Sequence, residues 1–393
     1  MSQSPFETVP AWLGEPYRLF FPLGAALAFA GVVPWVLTSL GVFGYLPVPH
    51  AVTEIQGFLT AFALGFLFTF LPRRLGGLPP RAWEAGPALV GVVSVPLLAW
   101  AGQEALAHIA WALTLGVLAV FAVPRIRFAK RHGFLPTALL WIPVSLGSGV
   151  VGALLAAAFG AGRHPALAKM GADLVWQGVF GGLILGIGVL LLPVLTRNAR
   201  WPSDGGPRGQ RWAHALCGLF WFASFPLSLW LPPSLTFTLR GASALVLLIA
   251  VGGIWHVPTA QGLHRYWAWV STWLFPLGLL LAGLFPAQQV AMLHLTFVGG
   301  FALLTLAVGN HVLVAHSGQM PLLTSSPWRL GLFGGALGLA ALTRMVALLW
   351  PAQYLALLGV AAGLFLVGVG SWGAWIFARM RNKPVPGALP VRS

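Results

Sequence analysis

The sequence predicts an all-α membrane protein, a polytopic bundle of twelve transmembrane helices with both chain termini in the cytoplasm. Three observations lead to this prediction. Of 393 residues, 58% are hydrophobic and 7% charged, whereas an ordinary soluble domain is about one quarter charged. Apolar runs of about 20 residues, the length that crosses a bilayer, follow one another along the chain. Lys and Arg concentrate in every second connection between these runs.

The apolar runs define the spans. We place them at 17–39, 54–72, 85–102, 106–124, 134–159, 172–196, 212–231, 235–254, 266–285, 287–311, 328–349 and 354–379. No connection is long enough to fold as a soluble domain. We therefore predict a short N-terminal segment (1–16), a single twelve-helix membrane domain (17–379) and a basic cytoplasmic tail (380–393).

The basic residues predict the orientation. The connections after spans two, four, six, eight and ten, and the tail, carry nearly all of them, whereas the opposite connections hold only Arg163 and Lys169. Because Lys and Arg accumulate on the cytoplasmic side, both termini are expected there. The basic residues of these loops thus account for the net charge of +15, and no nucleic-acid partner is expected.

The single cysteine, Cys217, limits the chemistry. One cysteine permits no intrachain disulfide, no thiolate metal cluster and no covalent attachment of a c-type haem. Any haem must therefore be held non-covalently. The sequence also has no zinc-protease, nucleotide-binding or dinucleotide-binding motif.

His294 is the most informative single residue, because it lies about two turns inside an apolar span, roughly 10 Å deep at 1.5 Å per residue. A neutral imidazole is a good ligand for haem iron or copper. The alternative is a buried histidine that forms a hydrogen bond with a neighbouring helix.

Three further residues are predicted near the same, outer side of the membrane. His50 lies four residues before Glu54, so the two share a face if the second helix begins early enough; the alternative is a solvated helix cap. Arg240 and Arg344 match the carboxylates of haem propionates. Their alternative is to extend towards the lipid headgroups.

His311 and His316 follow on the same span as His294. His311 is about 25 Å from His294 along a helix, so these two cannot bind the same metal. His311 and His316 could share a metal only if the helix ends between them, a break that Ser317 and Gly318 would favour. Both are weaker metal-ligand predictions than His50 and His294.

Several motifs resemble the NnrS family. The stretch HLTFVGGFALLTLAVGNHVLVAHSG from His294 is preceded by WAWV at Trp267, and it is similar to the family's His-Ala-Leu-Thr-Val-Gly helix with a Leu-Gly-His-Thr-Gly-Arg ending. His294 and His316 fall on the two family histidines, and Gln319 replaces the arginine. Residues 186–197 and 17–22 also match family motifs. Residues 50–72 match more loosely, with Thr53 in place of a second histidine.

The resemblance implies a haem- and copper-containing protein of the bacterial inner membrane that protects against nitric oxide and accompanies denitrification. It implies a non-covalent b-type haem, for which we predict iron ligation by His50 and His294 and propionate contacts from Arg240 and Arg344. Copper is the second expected metal, nitric oxide the expected small ligand, and a nitric oxide-related oxidoreductase activity is left open.

Two alternatives are weighed against this interpretation. Twelve helices also resemble the catalytic subunit of haem-copper oxidases and nitric oxide reductases, but the sixth span has no histidine and His214 is on the wrong side for their copper site. The other alternative is a transporter of haem, a metal or a small solute, whose site would lie at broken helices near the membrane midplane. Few ionisable residues lie there, which disfavours proton coupling.

Overall fold

The computed structural model describes residues 6, 9–44, 46–75, 77–131, 136–160, 162, 164–199 and 207–380. This part of the chain forms helices and no strand. We number the long helices α1 to α12: Tyr17–Ser39, Pro47–Leu75, Ala82–Trp100, Glu104–Arg131, Thr137–Phe159, Pro165–Arg197, Arg208–Leu227, Pro233–Gly252, Leu263–Leu284, Pro286–His316, Trp328–Leu349 and Pro351–Met380.

The all-α membrane bundle is confirmed, since 11 of these helices are long and apolar enough to cross a membrane. The exception in the described part of the chain is α7, which lies where 212–231 is predicted. Its first two turns contain Arg208, Gln210, Arg211 and His214, which lower its mean hydropathy. The exact number of spans and the side of the termini stay predictions.

Four helices extend by five or more residues beyond one end of the apolar runs that predict them, among them α4, which continues to Arg131. α2 begins at Pro47 and α6 at Pro165, because proline suits the first turn, where the backbone N–H has no helical partner. α10 continues to His316. Hydropathy locates the apolar middle of a helix, whereas hydrogen bonding carries the helix on through polar residues at its ends.

Five helical segments are wider than an α-helix. They have the i to i+5 hydrogen bonding of a π-helix and comprise Thr53–Leu59 in α2, Leu174–Gly178 and Ile184–Gly188 in α6, Leu248–Gly252 in α8 and Leu295–Ala302 in α10. Such turns are rare and occur frequently at functional sites. Two of them follow closely on His50 and His294.

The chain divides into two compact units. Unit 1 comprises Met1–Leu27, Pro47–Gly188 and Pro202–Trp230, and unit 2 comprises Ala28–Leu46, Val189–Trp201 and Leu231–Ser393. α1 and α6 therefore contribute residues to both units. The single domain over 17–379 stays a prediction.

Unit 1 is built around packed aromatic rings and one buried ion pair. Phe21 of α1 stacks on Phe62 of α2, with ring centroids 4.7 Å apart. Glu84 of α3 pairs with Arg125 of α4 at 3.1 Å. These contacts connect α1 to α2 and α3 to α4.

Unit 2 is organised around α9, which packs against α8, α10 and α11. Trp267 of α9 donates its indole N–H to the carbonyl of Leu330 in α11 at 2.8 Å. A side chain at Gly334, one turn further along α11, would collide with that indole ring. The absence of a side chain at Gly334 therefore allows α9 and α11 to approach closely.

Candidate functional site

His294 is held in a defined tautomer. Its Nδ1 donates a hydrogen bond to the carbonyl of Val290 at 2.7 Å, because a carbonyl can only accept. In the neutral ring the proton is therefore on Nδ1, and Nε2 has the lone pair. The ring is half-buried and meets Phe297 edge-on at 6.3 Å. A neutral imidazole whose other nitrogen is oriented in this way has the form that a metal or haem iron binds.

Unit 2 has no acidic side chain. All 7 acidic residues of the chain fall within the ranges of unit 1. Backbone carbonyls meet some of the positive charge of unit 2: Arg197 donates to Gly252 and Gly253 at 3.1 and 2.6 Å, and Arg265 donates to Leu195 at 2.7 Å. Ion pairing with a carboxylate side chain is not available within this unit.

Arg240 is completely buried in this carboxylate-free unit. Its guanidinium carbon lies 4.6 Å from the ring centroid of Phe237. Arg344, which is half-buried, lies 5.8 Å from the ring of Tyr354. Aromatic faces attract cations but carry no negative charge. A carboxylate brought by a bound molecule would complement either guanidinium.

The structure places the predicted site residues in different units. Arg240 in α8, His294 in α10 and Arg344 in α11 all belong to unit 2, where α9 contacts α8 and α10, and α11 contacts α10. His50 belongs to unit 1, and α2 begins early enough to carry both His50 and Glu54. The pairing of His50 with His294 on one haem stays a prediction.

The helix does not end between His311 and His316. It runs from Leu303 to His316, with Ser317 as its C-cap and Gly318 in the left-handed region at φ 70°. Five residues of continuous helix place the two side chains about 140° apart. The condition under which they would share a metal is therefore not met.

His311 instead lies beside a histidine that the sequence analysis did not select. Its Nδ1 is 3.3 Å from Nε2 of His264 in α9. His264 is completely buried, and its Nδ1 has no hydrogen-bond partner. The two residues are 47 positions apart in the sequence, and their one shared sequence signal is that both are predicted near the inner face.

The separation of 3.3 Å suits two ligands of one metal ion. Two imidazole nitrogens, each about 2.0 to 2.1 Å from a tetrahedral metal, are about 3.3 Å apart. In this structure the same contact is a hydrogen bond in which one ring nitrogen donates and the other accepts. Within the described residues, no group of three or more His, Cys, Asp or Glu side chains could hold a metal, so this pair would leave coordination positions to other ligands.

The polar groups of unit 1 are largely hydrogen-bonded to each other. The amide Nε2 of Gln56 donates to Nδ1 of His108 at 2.8 Å. Trp100 donates to the hydroxyl of Thr53 at 3.0 Å. Glu54, in the same π-helical turn, has a buried carboxyl oxygen with no hydrogen-bond partner.

The comparison with known families decides the assignment. The sequence model of the NnrS protein family matches residues 11–383, which is nearly the whole chain. The chain belongs to the NnrS family. The resemblance is thereby confirmed, and the protein is an NnrS-type multi-pass membrane protein linked to nitric oxide resistance. No curated protein matches the chain.

Proposed function

We propose that this protein is a membrane haem protein that acts in nitric oxide tolerance and denitrification, with a non-covalent b-type haem bound through unit 2. The observation that carries the proposal is His294, a histidine within an apolar helix whose Nδ1 donates to the carbonyl of Val290, in a chain that belongs to the NnrS family. The buried guanidinium of Arg240 in the same unit matches the carboxylate of a haem propionate in charge and shape.

His294 is the proposed ligand of the iron from unit 2, and His50 is the proposed second ligand. The Nδ1 bond to Val290 orients the ring of His294 and leaves Nε2 as its electron-pair donor. Arg240 and Arg344 hold the propionates. The chemistry that haem iron would supply is the binding of a diatomic gas such as nitric oxide, which would require His50 or His294 to give up its coordination position.

Copper is the proposed second metal, and His264 with His311 is the proposed site. Their nitrogen separation of 3.3 Å supports this assignment, and imidazole suits copper. His316 is the alternative copper ligand.

The visible spectrum of the detergent-purified protein tests the haem. We expect a stoichiometric Soret band after haem-replete expression, and its loss or strong perturbation in His294→Ala. The matched control is His256→Ala, because His256 is an exposed loop residue in the same unit. Added imidazole should partly restore the spectrum of His294→Gly, which distinguishes a lost ligand from a misfolded protein.

Two results would overturn the haem assignment. A Soret band that is unchanged in His294→Ala would exclude this residue as the iron ligand. A colourless, folded protein after haem-replete expression would favour the transporter alternative, with haem, a metal or a small solute as cargo.

The proposed location is the bacterial inner membrane, with both termini in the cytoplasm. Reporter fusions after Arg81, Arg131 and Asp204 should report cytoplasm, and fusions near His50 and His164 the opposite side. Asp204 lies outside the described residues, but as a fusion point it tests only the side of the membrane. One reproducible reversal would contradict the twelve-span topology.

A further inference from the structure

The acidic residues that the structure describes differ in whether their carboxyl group is paired with a cation, exposed, or neither. Three of them form ion pairs: Glu15 with Arg18 and Arg73, Glu84 with Arg125, and Asp173 with Lys169. Glu104 is exposed at the first residue of α4. Among the described residues, Glu54 is therefore the one carboxyl group that is neither exposed nor paired with a cation.

Glu54 lies in the most enclosed of the membrane-crossing helices. In α2, 83% of the most apolar window is buried, the largest share among the candidate spans. The Oε1 atom of Glu54 is itself buried and has no hydrogen-bond partner. Without a cation, a carboxylate in such surroundings is much less favourable than the neutral acid.

Gln56, two residues further along, adds a second oxygen without a donor. It is completely buried, and its Nε2 is used by His108 at 2.8 Å, whereas its Oε1 has no partner. The hydroxyl of Thr53 is already used, because it donates to the carbonyl of Pro49 at 2.7 Å. The turn therefore contains two buried acceptor oxygens that lack a hydrogen-bond donor.

Within the described part of unit 1, no cation forms an ion pair with Glu54. The turn packs against the rest of α2, against α1 at Leu27, against α3 and against the π-helical turn at Leu174–Gly178 of α6, and Gln56 meets α4. The ionisable groups on these elements are Tyr17, Arg18, His50, Arg73, Arg74, Arg81, Glu84, Glu104, His108, Arg125, Arg127, Lys130, Arg131, Lys169, Asp173 and Arg197, of which Arg18 is paired with Glu15. Lys169 is paired with Asp173, and the arginines of α2 lie at its far end.

We propose that Glu54 is a proton-binding site within the membrane-spanning part of unit 1. The carboxylate and one proton combine to form the neutral acid, and no other bond changes. The acid supplies an O–H donor in a turn whose other side-chain donors, Thr53 and Gln56, are already used. The site can take up and release a proton inside the bundle.

Labelling with a hydrophobic carbodiimide tests this site. Dicyclohexylcarbodiimide enters the apolar part of a membrane protein and adds to a protonated carboxyl group to form a stable acylurea with no leaving group. We expect peptide mass spectrometry of the full-length protein in liposomes at neutral pH to find the adduct on Glu54. The labelled fraction should be at least tenfold higher than at Glu15 or Glu84, whose carboxylates face arginine.

Variants and a second reagent complete the test. Glu54→Gln should abolish the adduct, whereas Glu104→Gln, at the exposed carboxyl, should leave it unchanged. A water-soluble carbodiimide should label Glu104 and not Glu54. If Glu54 in the folded wild-type protein resists the hydrophobic reagent, or if both reagents label it equally, the proposal is wrong. Because the wild-type measurement decides, a poorly folding variant does not obscure the result.

Discussion

The two units differ in which charged side chains they contain and in how these are paired. Unit 1 contains every acidic residue of the chain, and several of its carboxylates are paired with cations, as in Glu84 with Arg125, whereas Glu54 is not. Unit 2 buries Arg240 completely and contains no acidic side chain. Carboxylate side chains are thus concentrated in one unit, and the proposed propionate contact of Arg240 lies in the other.

Among the substitutions that test this difference between the units, we expect the one at Arg240 to have the largest effect, which is a loss of haem affinity. Charge-assisted hydrogen bonds contribute about 1.5 to 3 kcal/mol, so we expect Arg240→Met to bind haem about 10- to 150-fold more weakly. Haem transfer to an excess of apomyoglobin measures the change. Arg344→Met should have a smaller effect, because Arg344 is only half-buried.

Arg240→Met also tests, in the haem-free protein, whether Arg240 stabilises the fold of unit 2. If Arg240 serves the propionates, Arg240→Met should weaken haem binding by a larger factor than it lowers the stability of the apo form. Equal haem retention by wild type and variant, or a large loss of apo stability, would mean that Arg240 serves the packing of unit 2 instead.

The histidine pair of unit 2 gives the next prediction. His264→Ala and His311→Ala each remove one of two proposed protein ligands, so bound copper should fall from about one per chain to near background. Mass spectrometry of the metal content measures this, and His316→Ala is the control from the same helix. If His316→Ala alone loses the metal, copper is bound at the end of α10 and the His264–His311 pair is only a weak hydrogen bond.

A smaller effect is expected at the hydrogen-bonded pair of unit 1. Gln56→Leu leaves the buried ring of His108 without its donor, which costs about 1 to 3 kcal/mol. Thermal unfolding in detergent should show a lower midpoint, with the Soret band of the remaining folded protein unchanged. Gln103→Leu is the control, since Gln103 is exposed and surface changes usually stay within about 0.5 kcal/mol. A lost Soret band in Gln56→Leu would mean that the pair of Gln56 with His108 takes part in haem binding.

The helices could be predicted from the sequence because hydropathy is a local property. Each of the twelve long helices overlaps one predicted span, and the errors lie at polar ends such as Pro47 and His316. α7 is the instructive case, since the run at 212–231 forms a helix that is not apolar enough to be counted with the others.

The candidate site could be predicted only in part. His294 is conspicuous because it interrupts an apolar run, and its tautomer depends on a carbonyl four residues earlier. The pairing of His264 with His311 depends on how α9 packs against α10, and no local pattern encodes a contact across 47 residues. The positions of the acidic residues can be read from the sequence, but their restriction to one unit is visible only once the boundaries of the two units are known.

The π-helical turn after His294 makes the direction in which this side chain points depend on the number of residues in the turn. A π-helical turn holds one more residue than the α-helical turn it replaces. If this turn closed into a regular α-helix with every residue kept, His294 would rotate by up to about 100° relative to the half of the helix that ends at His316, and deleting one residue within Leu295–Ala302 would largely cancel that rotation. Chain length within this turn therefore determines which neighbours the imidazole can reach, even when every side chain around it is kept.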